Sequence, residues 1–134
     1  MGASSETQYL IDTSIFIALE QGRPSHALPD DGVWFVSPVT IGELKHGALS
    51  AEDAGARARR LDSWIQATQN FECLDIDDTV GNTWGEYRAI AAGERRVIAT
   101  ADGLIAATAA TYGMTLVTQD RGFEWYPDLD VLIV

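Results

Sequence analysis

The sequence predicts an α/β domain with a mostly parallel central sheet of four to five strands. Short apolar runs alternate along the chain with helical patterns, which is typical of a parallel α/β domain. Several of these runs are followed directly by residues that cap helix N-termini. The 134 residues contain no internal repeat and no long linker. We therefore expect one domain over residues 1–134, in which residues 1–7 form a flexible polar leader.

The first part of the chain contains two predicted strand–helix units. Residues 9–11 form a short buried strand that runs into the polar residues 12–14 and then into an apolar helix over residues 15–19. A second strand covers residues 33–36. Ser37-Pro38 then begins a helix, with serine as the cap and proline in the first turn.

The middle of the chain predicts a further helix and a third strand. Residues 50–53 resemble a capping box with aspartate in place of glutamate, so we expect Ser50 to cap the helix that follows. The positions at core spacing in that helix are Ala58, Leu61, Ile65 and Thr68, with Trp64 beside them. Residues 71–74 form the third predicted strand.

The last part of the chain predicts two helices and two strands. Residues 77–79 cap a helix with the clearest amphipathic stripe in the sequence. That stripe consists of Val80, Trp84, Tyr87 and Ala91. A helix begins at residues 100–102, faces Leu104, Ile105, Thr108, Ala109 and Tyr112 inward, and ends at Gly113. Residues 115–118 form a fourth strand, and residues 131–134 a fifth at the sheet edge.

Composition excludes several classes of protein. The net charge of −11 argues against nucleic-acid binding by bulk electrostatics, and it favours either a basic partner or simple solubility. No apolar run is long enough to span a membrane, and the N-terminus lacks a signal-peptide pattern. The single Cys73 favours a reducing compartment, and His26 and His46 have no zinc-like spacing with it. No glycine-rich nucleotide-binding motif is present.

Four acidic residues fall near the predicted carboxyl ends of the strands, where ligands collect in parallel sheets. Asp12 follows the first strand directly, and Asp120 follows the fourth by two residues. Glu43 and Asp102 lie near the starts of their helices. Each also has a structural interpretation. Asp12 is equally a helix cap, Glu43 a solvated helix residue, Asp102 a partner of the helix dipole and Asp120 a turn residue. Thr13 and Ser14 are alternative caps that would leave Asp12 free.

A second acidic group consists of Asp75, Asp77 and Asp78. These residues follow a strand whose neighbours offer no further acids. We interpret them as helix capping and surface charge.

If the four acids converge, they predict a metal-dependent hydrolase. Four like charges within a few ångströms would resist full ionisation, and a divalent cation removes that conflict. A set of carboxylates alone suits Mg²⁺ or Mn²⁺ rather than zinc. Such a cation activates water and neutralises charge during phosphodiester hydrolysis without a protein nucleophile.

Four segments together resemble the PIN-domain nucleases, and their order and spacing resemble most closely the VapC toxins of bacterial toxin–antitoxin pairs. The segments are Leu10-Ile11-Asp12-Thr13-Ser14-Ile15-Phe16, Ile41-Gly42-Glu43-Leu44-Lys45-His46-Gly47, Asp102-Gly103-Leu104-Ile105-Ala106-Ala107-Thr108-Ala109 and Leu116-Val117-Thr118-Gln119-Asp120. The resemblance covers essentially the whole chain. Each motif alone is weak, but four in this order are specific.

The resemblance implies a three-layer α/β/α fold and Mg²⁺- or Mn²⁺-dependent endonucleolytic cleavage of RNA in the cytoplasm. It implies that the metal-binding and catalytic residues are Asp12, Glu43, Asp102 and Asp120, with Ser14 and Thr118 in supporting roles. It also implies a homodimer, inhibited by a VapB-like antitoxin whose basic C-terminal segment covers the acids, in a heterotetramer or larger complex.

The sequence departs from the family pattern at two glycines. Gly122 replaces an acid that relatives often carry, so the fourth carboxylate rests on Asp120 alone. Gly103 replaces the alanine usual after Asp102, at a cost of about 1 kcal/mol in helix propensity.

The basic residues are few. Arg57, Arg60, Arg95 and Arg96 are candidate RNA contacts, as is Arg59 beside them, and each is also interpreted as a solvated surface residue.

Two other functions remain open. One is a non-catalytic module whose acids bind a basic peptide. The other is a PIN-type RNA-processing nuclease without an antitoxin.

Overall fold

The computed structural model of the protein describes residues 6–23 and 28–134. Strands and helices alternate over these residues. The strands are β1 (Gln8–Ile11), β2 (Val33–Val36), β3 (Glu72–Cys73), β4 (Thr115–Thr118) and β5 (Asp130–Ile133). The helices are α1 (Thr13–Glu20), α2 (Pro38–Leu49), α3 (Ala54–Gln69), α4 (Asp78–Gly93) and α5 (Thr100–Thr111), with a short 3-10 helix at Arg121–Trp125. Most of the predicted leader, residues 1–5, and His26 lie outside the described residues.

The five strands form one parallel sheet in the order β3-β2-β1-β4-β5, which confirms the predicted sheet. The central strands β1 and β4 are direct neighbours, and Ile11 pairs with Val117. The backbone N–H of Asp12 extends this pairing by donating to the carbonyl of Val117 at 2.9 Å. The first acidic residue therefore lies beside the end of β4, which leads to Asp120.

Helices cover both faces of the sheet, which confirms the three-layer architecture. Leu10 and Leu116 point to one face and pack in the core that includes residues of α4 and α5. Ile11 and Val117 point to the other face and pack with residues of α1, α2 and α3. Both faces of β1 and β4 are apolar because a parallel sheet between two helix layers has no solvated side.

The start of α3 differs from the prediction. Asp53, not Ser50, caps this helix, and its Oδ1 accepts from the N–H of Ala56 at 2.8 Å. Ser50 instead follows the last turn of α2, where its backbone N–H donates to the carbonyl of His46 at 3.0 Å. The capping-box pattern was wrong because Ser50 still belongs to the end of the preceding helix.

The predicted buried face of α3 was only partly correct. Leu61 and Trp64 are half-buried, and Trp64 packs against the core. Ser63 and Ala67 are buried, whereas Ile65 is 41% exposed and Ala58 and Thr68 are exposed. The small side chains at positions 63 and 67 allow a close approach to neighbouring helices. Packing distance therefore selected small residues over the larger apolar ones.

Two other helices match their predicted faces closely. In α4, Val80, Tyr87 and Ala91 are buried, and Trp84 packs against the same core. In α5 the predicted inward positions are buried or half-buried, except that Tyr112 is exposed at the end of the helix.

Gly113 has φ +65°, a left-handed conformation that glycine adopts most easily, and this explains why a glycine ends α5. Strand β3 is two residues long rather than four, and it lies at the sheet edge. Among the described residues, none of the helices is long and apolar enough to cross a membrane.

Candidate functional site

Asp12 is the most deeply placed of the four predicted site residues. It follows β1, precedes α1 and is only 5% exposed. Its Oδ2 accepts hydrogen bonds from the hydroxyls of Ser14 at 2.7 Å and Thr118 at 2.8 Å, and from the Ser14 N–H at 3.4 Å. Asp12 itself caps α1, which decides between the alternatives that the sequence left open: Asp12, and not Thr13 or Ser14, is the cap. Within the described part of the chain, these bonds all use Oδ2 and none uses Oδ1.

Ser14 and Thr118 connect this carboxylate to the loop after β4. Their hydroxyl oxygens are 3.2 Å apart. The N–H of Gln119 donates to Ser14 Oγ at 3.0 Å, and the N–H of Asp120 donates to Thr118 Oγ1 at 3.0 Å. Two hydroxyls therefore position Asp12 and the backbone of Asp120 together.

Asp120 lies at the exposed end of this network. Its Oδ1 accepts from the N–H of Gly122 at 2.8 Å and caps the 3-10 helix. A Cβ atom at position 122 would lie 3.0 Å from the same Oδ1. The glycine that departs from the family pattern thus permits a tight turn around Asp120.

Glu43 reaches the site from the exposed side of α2. Its Oε1 accepts from the Thr13 hydroxyl at 2.7 Å. Thr13 Oγ1 is also 3.0 Å from Thr40 Oγ1, and Thr40 is fully buried. The sequence reasoning missed Thr13 and Thr40 as positioning residues. Both residues could have been identified from the sequence, because Thr13 directly follows Asp12 and Thr40 lies one turn before Glu43.

Asp102 shows that the four carboxylates share one electrostatic environment. It is half-buried in the first turn of α5. Burial is the largest cause that raises the pKa of Asp102, the charges of Asp12, Asp120 and Glu43 follow in that order, and together they raise it to about 6. All four predicted acids therefore come together at the carboxyl ends of the central strands.

Gly103 is explained by its neighbour on α4. A Cβ atom at this position would lie 3.1 Å from two atoms of the Trp84 indole and 3.5 Å from Ile98. The glycine lets α5 pack closely against Trp84 directly beside Asp102. Close packing against Trp84 therefore accounts for a glycine at position 103, despite its lower helix propensity.

The donor chemistry of this site fits a hard divalent cation. Its side-chain donors are carboxylate and hydroxyl oxygens, which Mg²⁺ and Mn²⁺ prefer. The raised pKa of Asp102 reflects burial first and then the negative charges of its neighbours, which a cation would neutralise. Over residues 6–23 and 28–134, no group of three or more His, Cys, Asp or Glu side chains already lies in an arrangement that could hold a metal ion.

The candidate arginines lie in different environments. Arg57 and Arg95 are exposed. Arg60 is engaged elsewhere, because its Nε lies 2.7 Å from the Oε2 of Glu20, whose side chain is only 8% exposed. Arg96 is exposed, and its guanidinium lies over the ring of Trp125, 4.9 Å from the ring centre.

The second acidic group lies apart from these four residues. Asp77 caps α4 and accepts a hydrogen bond from the Tyr112 hydroxyl, which lowers the pKa of Asp77. Asp75 and Asp78 are exposed. This agrees with the prediction of capping and surface charge.

Comparisons with known proteins agree on the family of folds. The model of the PIN domain matches residues 9–129. Ribonuclease VapC4 of Mycobacterium tuberculosis is 37% identical over 125 residues, which is 93% of this chain and 95% of that protein. Ribonuclease VapC5 of the same organism is 36% identical over 115 residues, 85% of this chain and 84% of that protein. The crystal structure of VapBC-5, a toxin–antitoxin system of M. tuberculosis, superimposes with a TM-score of 0.81 at 28% identity, covering 96% and 99% of the two chains.

Proposed function

Because the chain belongs to the PIN-domain family, we propose that it is a VapC-type endoribonuclease, the toxin of a toxin–antitoxin pair. The observation that carries this proposal is the placement of the four acids at one site. The hydroxyls of Ser14 and Thr118 bond Asp12, and Thr118 also bonds the backbone of Asp120. Thr13 of the same helix holds Glu43 beside them, and the charges of all three acids act on Asp102. Four acids from separate segments act on one another at the end of a parallel sheet, where ligands bind.

In this proposal Asp12, Glu43, Asp102 and Asp120 hold Mg²⁺ or Mn²⁺. When bound, such a cation activates water and neutralises negative charge on the phosphodiester during hydrolysis. Binding requires deprotonated carboxylates, so Asp102 must lose a proton that its surroundings retain up to a pH of about 6.

The neighbouring hydroxyls act as positioning residues. Ser14 and Thr118 hold Oδ2 of Asp12, so Oδ1 is left to bind the cation. Thr13 holds Oε1 of Glu43 in the same way. Hydrogen bonds of this kind fix ligand orientation and strengthen metal binding.

The proposed protein partner is a VapB-like antitoxin with a basic C-terminal segment. The net charge of −11 favours association with a positively charged segment. The structural relatives of this chain include VapBC toxin–antitoxin complexes. We also propose a homodimer that assembles with the antitoxin into a heterotetramer or larger complex. With RNA as the substrate, we propose that the protein acts in the cytoplasm.

The test uses purified protein separated from any partner. We expect cleavage of total cellular RNA with Mg²⁺ or Mn²⁺ and no cleavage with EDTA. Asp12→Asn should reduce the rate at least ~100-fold, given the 10–100-fold losses caused even by changes to outer-shell partners of a metal site. Asp75→Asn is the matched control, because it removes an exposed carboxylate of the second acidic group.

Equal activity of Asp12→Asn and the parent would refute the assigned site. Absence of turnover with either metal, together with binding of an arginine-rich peptide, would instead favour the non-catalytic binding module. Mapping the cleaved 5′ ends would identify the RNA target.

A further inference from the structure

A pocket of about 160 Å³ opens beside the acidic site. We call it the Trp125 pocket. The residues that matter for its chemistry are Arg96, Ile98, Asp102, Gly122, Trp125 and Tyr126. It is formed where the loop between α4 and α5 meets the segment that follows β4. Because Asp102 belongs to both, the pocket is continuous with the proposed metal site.

The pocket has a rigid aromatic wall. Trp125 is half-buried, and its Nε1–H donates to Oε1 of Glu94 at 3.0 Å. Its ring meets the ring of Tyr126 at 71° with the centres 5.1 Å apart. An edge contact of this kind fixes the indole without covering both of its faces.

Arg96 places a cation at the same wall. Its guanidinium lies over the Trp125 ring at 4.9 Å from the centre. The chain has nine Lys and Arg residues against twenty Asp and Glu residues, so a cation beside the acids is notable. A guanidinium stacks on aromatic faces and also binds phosphate oxygens.

Tyr126 adds a neutral hydroxyl whose pKa is affected by the charges of Asp102 and Arg96. Burial, followed by the charge of Asp102, raises the pKa of Tyr126, Arg96 lowers it, and the net value is about 12. The group therefore remains a hydrogen-bond donor at neutral pH. Within the described segments, its hydroxyl makes no hydrogen bond to the protein.

We propose that the Trp125 pocket receives one nucleobase of a single-stranded RNA, next to the phosphate held at the acidic site. This inference rests on the proposed ribonuclease function and adds a substrate-binding subsite to it. An aromatic ring and a guanidinium plane are the groups on which unstacked RNA bases stack. A cavity of roughly 150 Å³ holds benzene in another protein, so this pocket has room for one base ring and not for two stacked bases.

Gly122 supports the same assignment. It lines the pocket between Asp120 and the aromatic wall, and it has no side chain to fill that space.

The first experiment observes the pocket without catalysis. Single-stranded U10, C10 and A10 are titrated into Asp12→Asn protein, and the indole N–H signals of the four tryptophans are followed by NMR. Trp125→Phe assigns the signal. We expect the Trp125 signal to move with at least one RNA while that of Trp64 stays in place. Trp64 is a suitable reference because it is half-buried and also carries a cation, Lys45, 3.9 Å from its ring centre.

The second experiment measures the subsite in catalysis. A 12-nucleotide RNA is built around the bond that the parent cleaves fastest in cellular RNA. We expect Trp125→Leu to raise KM ~5- to 150-fold with a smaller change in kcat, which is the range for loss of one stacked base. Arg96→Ala should raise KM as well. Arg88→Ala is its matched control, because Arg88 lies over Trp84 at the same 4.9 Å.

A substrate change keeps the proposal falsifiable if Trp125→Leu does not fold. Removing the base beside the cleaved bond should raise KM of the parent by a similar factor, and the same removal should raise KM by a smaller factor in Arg96→Ala, where part of the contact with the base is already lost.

The outcomes separate the two proposals. If the parent cleaves RNA but the Trp125 signal does not move and the abasic substrate is cleaved normally, the subsite is refuted and the ribonuclease function stands. If the signal moves but no RNA is cleaved with either metal, the ribonuclease proposal fails.

Discussion

Replacing Asp102 with asparagine should stabilise the metal-free protein at neutral pH. Burial and three neighbouring charges raise the pKa of Asp102 from 3.8 to about 6 in the folded state. At ~1.4 kcal/mol per pH unit this corresponds to about 3 kcal/mol, and solvent screening of a half-exposed carboxylate reduces it to about 1 kcal/mol. Between these two pH values the folded state binds more protons than the unfolded state. Stability from this group is therefore lost as the pH rises from about 4 to about 6.

The assay is urea denaturation in EDTA at pH 5 and pH 7.5. We expect Asp102→Asn to gain about 1 kcal/mol over the parent at pH 7.5, or roughly 3–5 °C in Tm. The gain should shrink toward pH 5. Asp75→Asn controls for the loss of one charge from an acidic chain. If Asp102→Asn is less stable than the parent at pH 7.5 while the control is unchanged, the electrostatic reasoning about this site is wrong.

Four further substitutions test contacts in and around the site. Thr118→Val should cost about 2–3 kcal/mol in urea denaturation, because a fully buried hydroxyl bonds a carboxylate; an unchanged midpoint would contradict this. Gly103→Ala should lower Tm despite its better helix propensity, because the new Cβ would lie 3.1 Å from an indole ring. Gly81→Ala, with open space around it, should raise Tm, and equal shifts would refute the packing argument. Arg60→Gln should lower the free energy of unfolding by about 2 kcal/mol, because it leaves the buried Glu20 side chain without its cation. RNA cleavage by the folded protein should stay within twofold of the parent. A large loss of RNA binding would instead indicate that Arg60 contacts the substrate.

The acids were predictable because their placement depends on local features. Asp12 follows an apolar strand in the chain, and Asp120 follows another. Parallel strands end at the same sheet edge, so adjacency of β1 and β4 brings the two residues together. The motif resemblance supplied Glu43 and Asp102, whose positions on helices left their direction open.

Caps and faces of helices were less predictable. Capping patterns near residue 50 are ambiguous because the end of α2 and the start of α3 are only a few residues apart. The buried face of α3 depends on how closely α2 approaches it. Side-chain size at Ser63 and Ala67 decides that distance, and hydrophobic periodicity does not report it.

By itself, the sequence determined the α/β class, the order of strands and helices along the chain and the position of Asp12 and Asp120 after strands. These follow from patterns within about ten neighbouring residues, whereas Glu43 and Asp102 came from the order of motifs along the whole chain. Only the tertiary structure decided which hydroxyls hold Asp12 and Glu43, that Arg60 pairs with Glu20, and that Arg96, Trp125 and Asp102 enclose one pocket. The contacts of Thr118 with Asp12, of Thr13 with Glu43 and of Arg60 with Glu20 join residues 30 to 106 positions apart. Their geometry depends on how whole helices and loops pack, because no local pattern in a chain encodes the distance between two segments.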